Sequence, residues 1–378
     1  MTFAYLWGVS TLGRGVLITV LPLMAHRVFE DAQKVSEFYF VISILGLLGG
    51  LAMPWLVSKL RRRWVFTLGC ICLFGSAGLI AFGTTVTFSV GMVLQMIGVI
   101  AVELPLNLYI LDHVPRRDLI RFEPMRLFYA AGPWTVGPWL GVTLQVNIAD
   151  WLPFVVSGAS ALVLLGYFWA LRIADHPALV RPRVAPVNPL RFVPRYVLQP
   201  RLRLAWALAF GRASWWYMFF IYAPIYCVTS GLGAEVGGAL ISLGSAGIFA
   251  APLWGWVARR VGLRRYLTAA YGATGLATVA IAVVTPWPWL GAAMILCAAM
   301  VMSAVDGAGN THFLRAVRPL ERAEMTAVFS LYRDTAQLVI PGAFAVLLLA
   351  LPLSSVFVAS GLATAAMALV ARHIPRRM

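Results

Sequence analysis

A chain of 378 residues that is 61% hydrophobic and only 12% charged is too apolar for a soluble domain. Its formal charge of +16 does not point to nucleic acid, because the basic residues lie between apolar runs and form no single face. Four cysteines, Cys70, Cys72, Cys227 and Cys297, fall inside apolar runs without metal-type pairing, so they read as small core residues, and no metal or cofactor is expected.

A helix needs roughly 20 apolar residues to cross a hydrocarbon core of about 30 Å. In chain order, runs of that size lie near 3–27, 36–58, 64–85, 87–112, 121–146 and 151–172. Six more lie near 204–228, 234–258, 266–285, 288–312, 325–349 and 352–372. The connections are short except 173–203, which is rich in Pro and Arg and opens with Asp175-His176-Pro177. The expected fold is therefore an all-α polytopic membrane protein with 12 transmembrane helices in two six-helix halves. Residues 1–172 form the first bundle, 173–203 a cytoplasmic linker and 204–378 the second bundle.

Of the 30 lysines and arginines, 24 cluster at alternate connections and the C-terminus, from Lys59 and Arg61–Arg63 to Arg372–Arg377. The intervening connections hold only Arg27 and Lys34. That positive-inside pattern predicts a bacterial inner-membrane protein with both termini in the cytoplasm. The first run has no basic flank before it and carries Arg14 at its middle, so no cleavable signal is expected.

The halves repeat. A shift of 203 residues lays Asn107 on Asn310, Tyr129 on Tyr332 and Pro138 on Pro341. It also sets Glu103 on Asp306, and a shift of 198 sets Gly13-Arg14 on Gly211-Arg212. Two related halves are a transporter architecture, with the site expected near the midplane.

After the second and eighth runs stand two basic loops. One is Gly255-Trp256-Val257-Ala258-Arg259-Arg260-Val261-Gly262-Leu263-Arg264-Arg265; the other, more degenerate, is Pro54-Trp55-Leu56-Val57-Ser58-Lys59-Leu60-Arg61-Arg62-Arg63. They resemble the loop repeated in the major facilitator superfamily, and the likeness extends over essentially the whole chain. The resemblance implies a gating role for Ser58, Lys59, Arg62, Gly255, Arg259 and Gly262. The family's loop Asp is replaced by Ser58 and Arg259, so the loops are either gates without that latch or plain basic turns. Gly137-Pro138-Trp139-Leu140-Gly141 resembles part of a motif of the family's drug/proton antiporters; its physical content is close helix packing.

Seven ionisable groups lie inside the runs: Arg14, Glu103, Arg126, Arg212, Asp306, Arg333 and Asp334. At about 3 kcal/mol each, unpaired burial would total roughly 20 kcal/mol, beyond the about 5–15 kcal/mol stability of a domain. They must pair or face water. Glu103 with Asn107, and Asp306 with Asn310, are i,i+4 pairs that make a polar stripe in each half. The resemblance implies that Arg14, Glu103, Arg212 and Asp306 line a central cavity. Arg126 shares a helical face with Tyr129, while Arg333 and Asp334 point about 100° apart. Trp215 and Trp216 stand just after Arg212 and suit an aromatic or amphipathic ligand.

The reading that results is a monomeric secondary transporter working by alternating access between bilayer faces. Its partners are protons and a small organic solute, anionic or amphipathic. Arg14, Arg212, Arg126, Arg333, Asn107, Asn310, Tyr129, Trp215 and Trp216 are the expected solute contacts, and Glu103, Asp306 and Asp334 the expected proton carriers. Three alternatives stand beside it: structural salt bridges only, an exporter of lipophilic or cationic compounds, and a membrane assembly factor on the same fold. No His-Glu-x-x-His, phosphate loop or serine elbow suggests an enzyme.

Overall fold

The computed structural model describes residues 2–113, 116–171, 189–308, 310–318 and 321–375. Most of the expected linker, including Asp175-His176-Pro177, lies outside the described residues, as does Gly309. Each apolar run becomes helical. The first six are α1 (Thr2–Phe29), α2 (Ala32–Lys59), α3 (Arg62–Ala81), α4 (Thr85–His113), α5 (Arg116–Asn147) and α6 (Leu152–Ala170). A short helix, α7 (Pro189–Val197), precedes α8 (Pro200–Thr229). The eighth run is divided into α9 (Ala234–Ala246) and α10 (Ala251–Val261) by a 3₁₀ turn over Gly247–Ala250. Then come α11 (Leu263–Val283), α12 (Pro288–Ala308), α13 (Thr311–Ala316), α14 (Arg322–Leu347) and α15 (Ser354–Ala371).

Among the described residues, nine helical stretches are long and apolar enough to cross a membrane. The expected spans outside those nine are α5, α8 and α14. They carry Arg126, Arg212, Arg333 and Asp334, four of the seven ionisable groups within the runs, while Arg14, Glu103 and Asp306 lie on helices among the nine.

The chain divides into two compact units. The first comprises Met1–Asp31 and Val41–Pro186. Within it α1 packs along α5 and α6, and α3 along α4 and α6. Its core joins Leu6, Phe66, Leu106, Tyr109 and Phe168, with the Phe66 and Phe168 rings stacked at 4.2 Å. Glycines make the α1–α5 crossing possible. A Cβ on Gly137 would stand 2.5 Å from the Gly15 carbonyl carbon, and one on Gly141 would overlap the Val16 carbonyl oxygen. The Gly-Pro segment of the sequence is thus a backbone-to-backbone contact.

The second unit comprises Ala32–Phe40 and Val187–Met378. Here α11 packs along α15 and α12, and α8 against α14, α9 and α15. The first turns of α2 belong to this unit: Ser36 Oγ and Tyr222 Oη share a fully buried hydrogen bond of 2.7 Å. The stretch Pro189–Val197, read from sequence as linker, is an amphipathic helix. Its Tyr196 is buried with Phe313, Val317, Met325 and Phe329.

Glu321 fastens α7. Arg195 donates to it at 2.6 Å and Gln199 at 3.1 Å, while Arg195 also reaches Glu324 at 3.6 Å. The bond from Gln199, with Arg195 and Arg318 behind it, outweighs burial and holds the Glu321 carboxyl below the usual carboxylate range. A lowered folded value gives stabilisation that is present at neutral pH and lost as pH falls through that lowered value. Acidification should therefore raise amide hydrogen exchange over Phe192–Val197, and Glu321→Gln should raise it already at neutral pH. Protection that ignores both changes would contradict the clamp.

The two basic loops turn differently. Gly262 closes α10 and opens α11 at φ +88°, a conformation that L side chains rarely adopt. The first loop uses Arg61 at φ −62°. Gly262→Ala should cost about 1–3 kcal/mol, read as a lower Tm in detergent, whereas Arg61→Ala should stay within about 0.5 kcal/mol.

Candidate functional site

Each unit closes one arginine–carboxylate pair between helices expected to span the membrane. In the first unit α1 supplies Arg14 and α4 supplies Glu103, and the Arg14 Nη1 donates to Glu103 Oε1. Both side chains stay accessible, 28% and 36% exposed. The Arg14 guanidinium lies 5.9 Å from the Trp134 ring of α5. One turn along α4, Asn107 Oδ1 accepts from Arg126 Nη1 of α5 at 3.1 Å. Arg126 lies 4.4 Å from the ring of Trp7 on α1, a cation–π distance. Tyr129 packs its ring on Tyr5 at 4.8 Å. Arg126 and Tyr129 thus face α1 together, as their shared helical face required.

The second unit builds a tighter pair. Arg212 of α8 has a side chain only 10% exposed, and its Nε stands 3.3 Å from Asp306 Oδ1 on α12. Its Nη2 donates to Asn310 Oδ1 at 3.2 Å and to Tyr332 Oη at 3.3 Å. Trp216 Nε1 donates to the other Asp306 oxygen at 2.7 Å. Both carboxylate oxygens therefore have a donor. Tyr332 also accepts from Arg333 Nε at 3.0 Å, so one hydroxyl, with its two lone pairs, bridges two arginines.

The expected stripe holds only in the first unit: α12 ends at Ala308, and Asn310 stands at the start of α13, off the helix that carries Asp306. Asn310 serves the arginine of its own pair, whereas Asn107 serves Arg126. Trp215 is buried and donates to Thr278 on α11 at 2.9 Å, with its ring stacked on Phe219. It faces the helix core, while Trp216, about 100° round the helix, reaches the pair. Arg333 and Asp334 are both exposed, and Asp334 has no salt bridge among the described residues. The loop residues Ser58, Lys59, Arg259 and Gly262 are exposed, and Ser58 Oγ donates back to Trp55 O. Gly255 lies 3.5 Å, by its would-be Cβ, from Arg259. Arg62 begins α3 and is half-buried.

Four aromatic residues of the site escaped the sequence reading: Trp7, Trp134, Trp254 and Tyr332 as an acceptor. Trp7 was findable, since it stands two turns before Arg14 on the same face of α1. Trp254 was not. From α10, beyond the 3₁₀ turn, it packs on Gly307, next to Asp306, and donates to Ser303 Oγ at 3.0 Å, contacts set by tertiary packing.

Comparison with known proteins follows the same lines. The model of the Major Facilitator Superfamily matches residues 8–341. None of the curated proteins matches the sequence. Solved structures share the fold at low identity. A peptide transporter, POT, is 14% identical with a TM-score of 0.74, covering 99% of this chain and 93% of its own. The nucleoside transporter NupG is 13% identical with a TM-score of 0.75, covering 99% and 98%. A POT family transporter in complex with 5-aminolevulinic acid is 11% identical with a TM-score of 0.75, covering 98% and 94%.

Proposed function

The chain belongs to the major facilitator superfamily, and from that premise we propose that this secondary transporter couples the movement of a small organic solute to protons. The solute is anionic or amphipathic, and an arginine–carboxylate pair supplies its polar contacts. One observation carries this reading: each unit holds an arginine–carboxylate pair between helices, flanked by asparagine and aromatic side chains. An arginine held by a carboxylate is a site an anion can compete for. When the solute takes the arginine, the released carboxylate loses its counter-charge within a helix expected to span the membrane, and taking up a proton removes that charge. Solute charge and proton then cancel, so symport follows from the chemistry of the pairs. Glu103 and Asp306 are the carboxylates placed to do this, and Asp334 is a third carboxyl on α14 without an ion-pair partner among the described residues. The Gly-Pro segment lends no support to an exporter, because its glycines are occupied by the α1 crossing.

Thermal unfolding of purified protein against organic anions, cations and neutral lipophiles tests the solute class. A ligand that binds only the folded state raises stability by RT ln(1 + [L]/Kd), about 2.7 kcal/mol at a hundredfold excess over Kd. An organic anion should raise Tm in wild type and lose most of that effect in Arg14→Ala. Stabilisation by cations alone, or by anions equally in the variant, would overturn the assignment.

A further inference from the structure

The amphipathic helix α7 has one face docked in the second unit and another that the protein leaves uncovered. Phe192, Val193 and Tyr196 turn inward, to the cluster of Phe313, Val317 and Phe329. The outer stripe is Arg191, Pro194, Arg195 and Leu198, spaced i, i+3, i+4 and i+7. Leu198 is 80% exposed and its neighbour Val197 48% exposed. Two residues later α8 begins, so α7 lies by connectivity at the mouth of an expected spanning helix. The arginine clusters put that mouth on the cytoplasmic side. Arg201, exposed in the first turn of α8, rims a small, largely apolar cleft with Leu204, Ala316 and Ile374. His312 lines the same cleft; it is 7% exposed, and its Nδ1 has no hydrogen-bond partner among the described residues.

We propose that the α7–α8 junction is a binding site for anionic phospholipid of the cytoplasmic leaflet. Arg191 and Arg201 hold the headgroup phosphate while Leu198 and Val197 sit among the acyl chains. Charge complementarity favours this occupant, because an exposed leucine within a stripe of arginines matches the boundary where phosphate meets hydrocarbon. Arg195 contributes less, since Glu321 and Glu324 already engage it. Occupancy would press α7 onto the unit it clamps, adding to the bonds at Glu321.

The test uses the full-length protein in detergent, titrated with phosphatidylglycerol, phosphatidylcholine or inorganic phosphate while Tm is followed. Phosphatidylglycerol should raise Tm, and phosphatidylcholine and phosphate should not. Replacing both arginines (Arg191→Gln with Arg201→Gln) should weaken the apparent affinity for phosphatidylglycerol on the order of thirtyfold, from about one anionic-surface increment per arginine. Leu198→Gln should weaken it as well. All three side chains are exposed, so the variants should fold, and the Tm without lipid verifies it. Equal stabilisation by phosphatidylcholine, an equal effect of phosphate alone, or an unchanged response in the arginine variant would each overturn the proposal.

Discussion

Arg212→Ala is expected to lower the stability of the second unit by about 1.5–3 kcal/mol, because it removes a nearly buried guanidinium with three bonded partners, while the Asp306 side chain it leaves is 37% exposed. The loss has a specific anatomy. The Arg212 side chain is 10% exposed and bonds Asp306, Asn310 and Tyr332 at once. Its removal leaves Asp306 with the Trp216 indole as its remaining bonded donor and leaves Asn310 without the bond it accepts. A second substitution, Asp306→Asn, should return most of the stability, because a neutral amide needs no counter-charge. Arg14→Ala should cost only about 1 kcal/mol, since the Arg14 side chain is 28% exposed and bonds fewer partners than Arg212. Thermal unfolding of the two single variants and the double variant measures this difference. Equal losses at Arg14 and Arg212 would contradict it.

The second large effect is expected at the α1–α5 crossing. Gly141→Val should destabilise the first unit by more than the about 1–3 kcal/mol typical of overpacking. The obstacle here is backbone and not a movable side chain: a Cβ at Gly141 overlaps the Val16 carbonyl oxygen. Gly137→Ala meets the Gly15 backbone in the same way. Separating the helices to make room would also pull Trp7 and Trp134 from the arginines they cover. Both variants should reduce the yield of folded protein and weaken any solute-induced rise in Tm. Gly75→Ala is the control, because nothing lies within 4 Å of a Cβ there.

The sequence announced the ends of this architecture better than its details. Apolar runs and alternating arginine clusters marked the spans because lipid imposes both on composition. The shift between halves found Glu103 with Asp306 and Asn107 with Asn310, since those pairs repeat in register. It could not tell that Asn107 serves Arg126 while Asn310 serves Arg212, because that depends on where the third helix of each unit stands. Nor could density of aromatics choose between Trp215 and Trp216: one residue turns a side chain about 100°, enough to send Trp215 into the core. The helix α7 was hidden by its own composition. Two prolines and two arginines in nine residues read as linker, and only docking against Phe313 and Phe329 makes the segment helical. The break in the eighth run falls where Gly247 approaches Ser303, a tertiary contact that a hydropathy window does not carry.

The most direct measurement is proton movement in liposomes reconstituted with the protein and loaded with a pH-sensitive dye. Adding the organic anion that stabilises the protein should acidify the interior as solute enters. Glu103→Gln should abolish the acidification, and Arg14→Ala should abolish solute entry as well. Solute entry without acidification in wild type, or acidification unchanged in Glu103→Gln, would contradict proton coupling through these pairs.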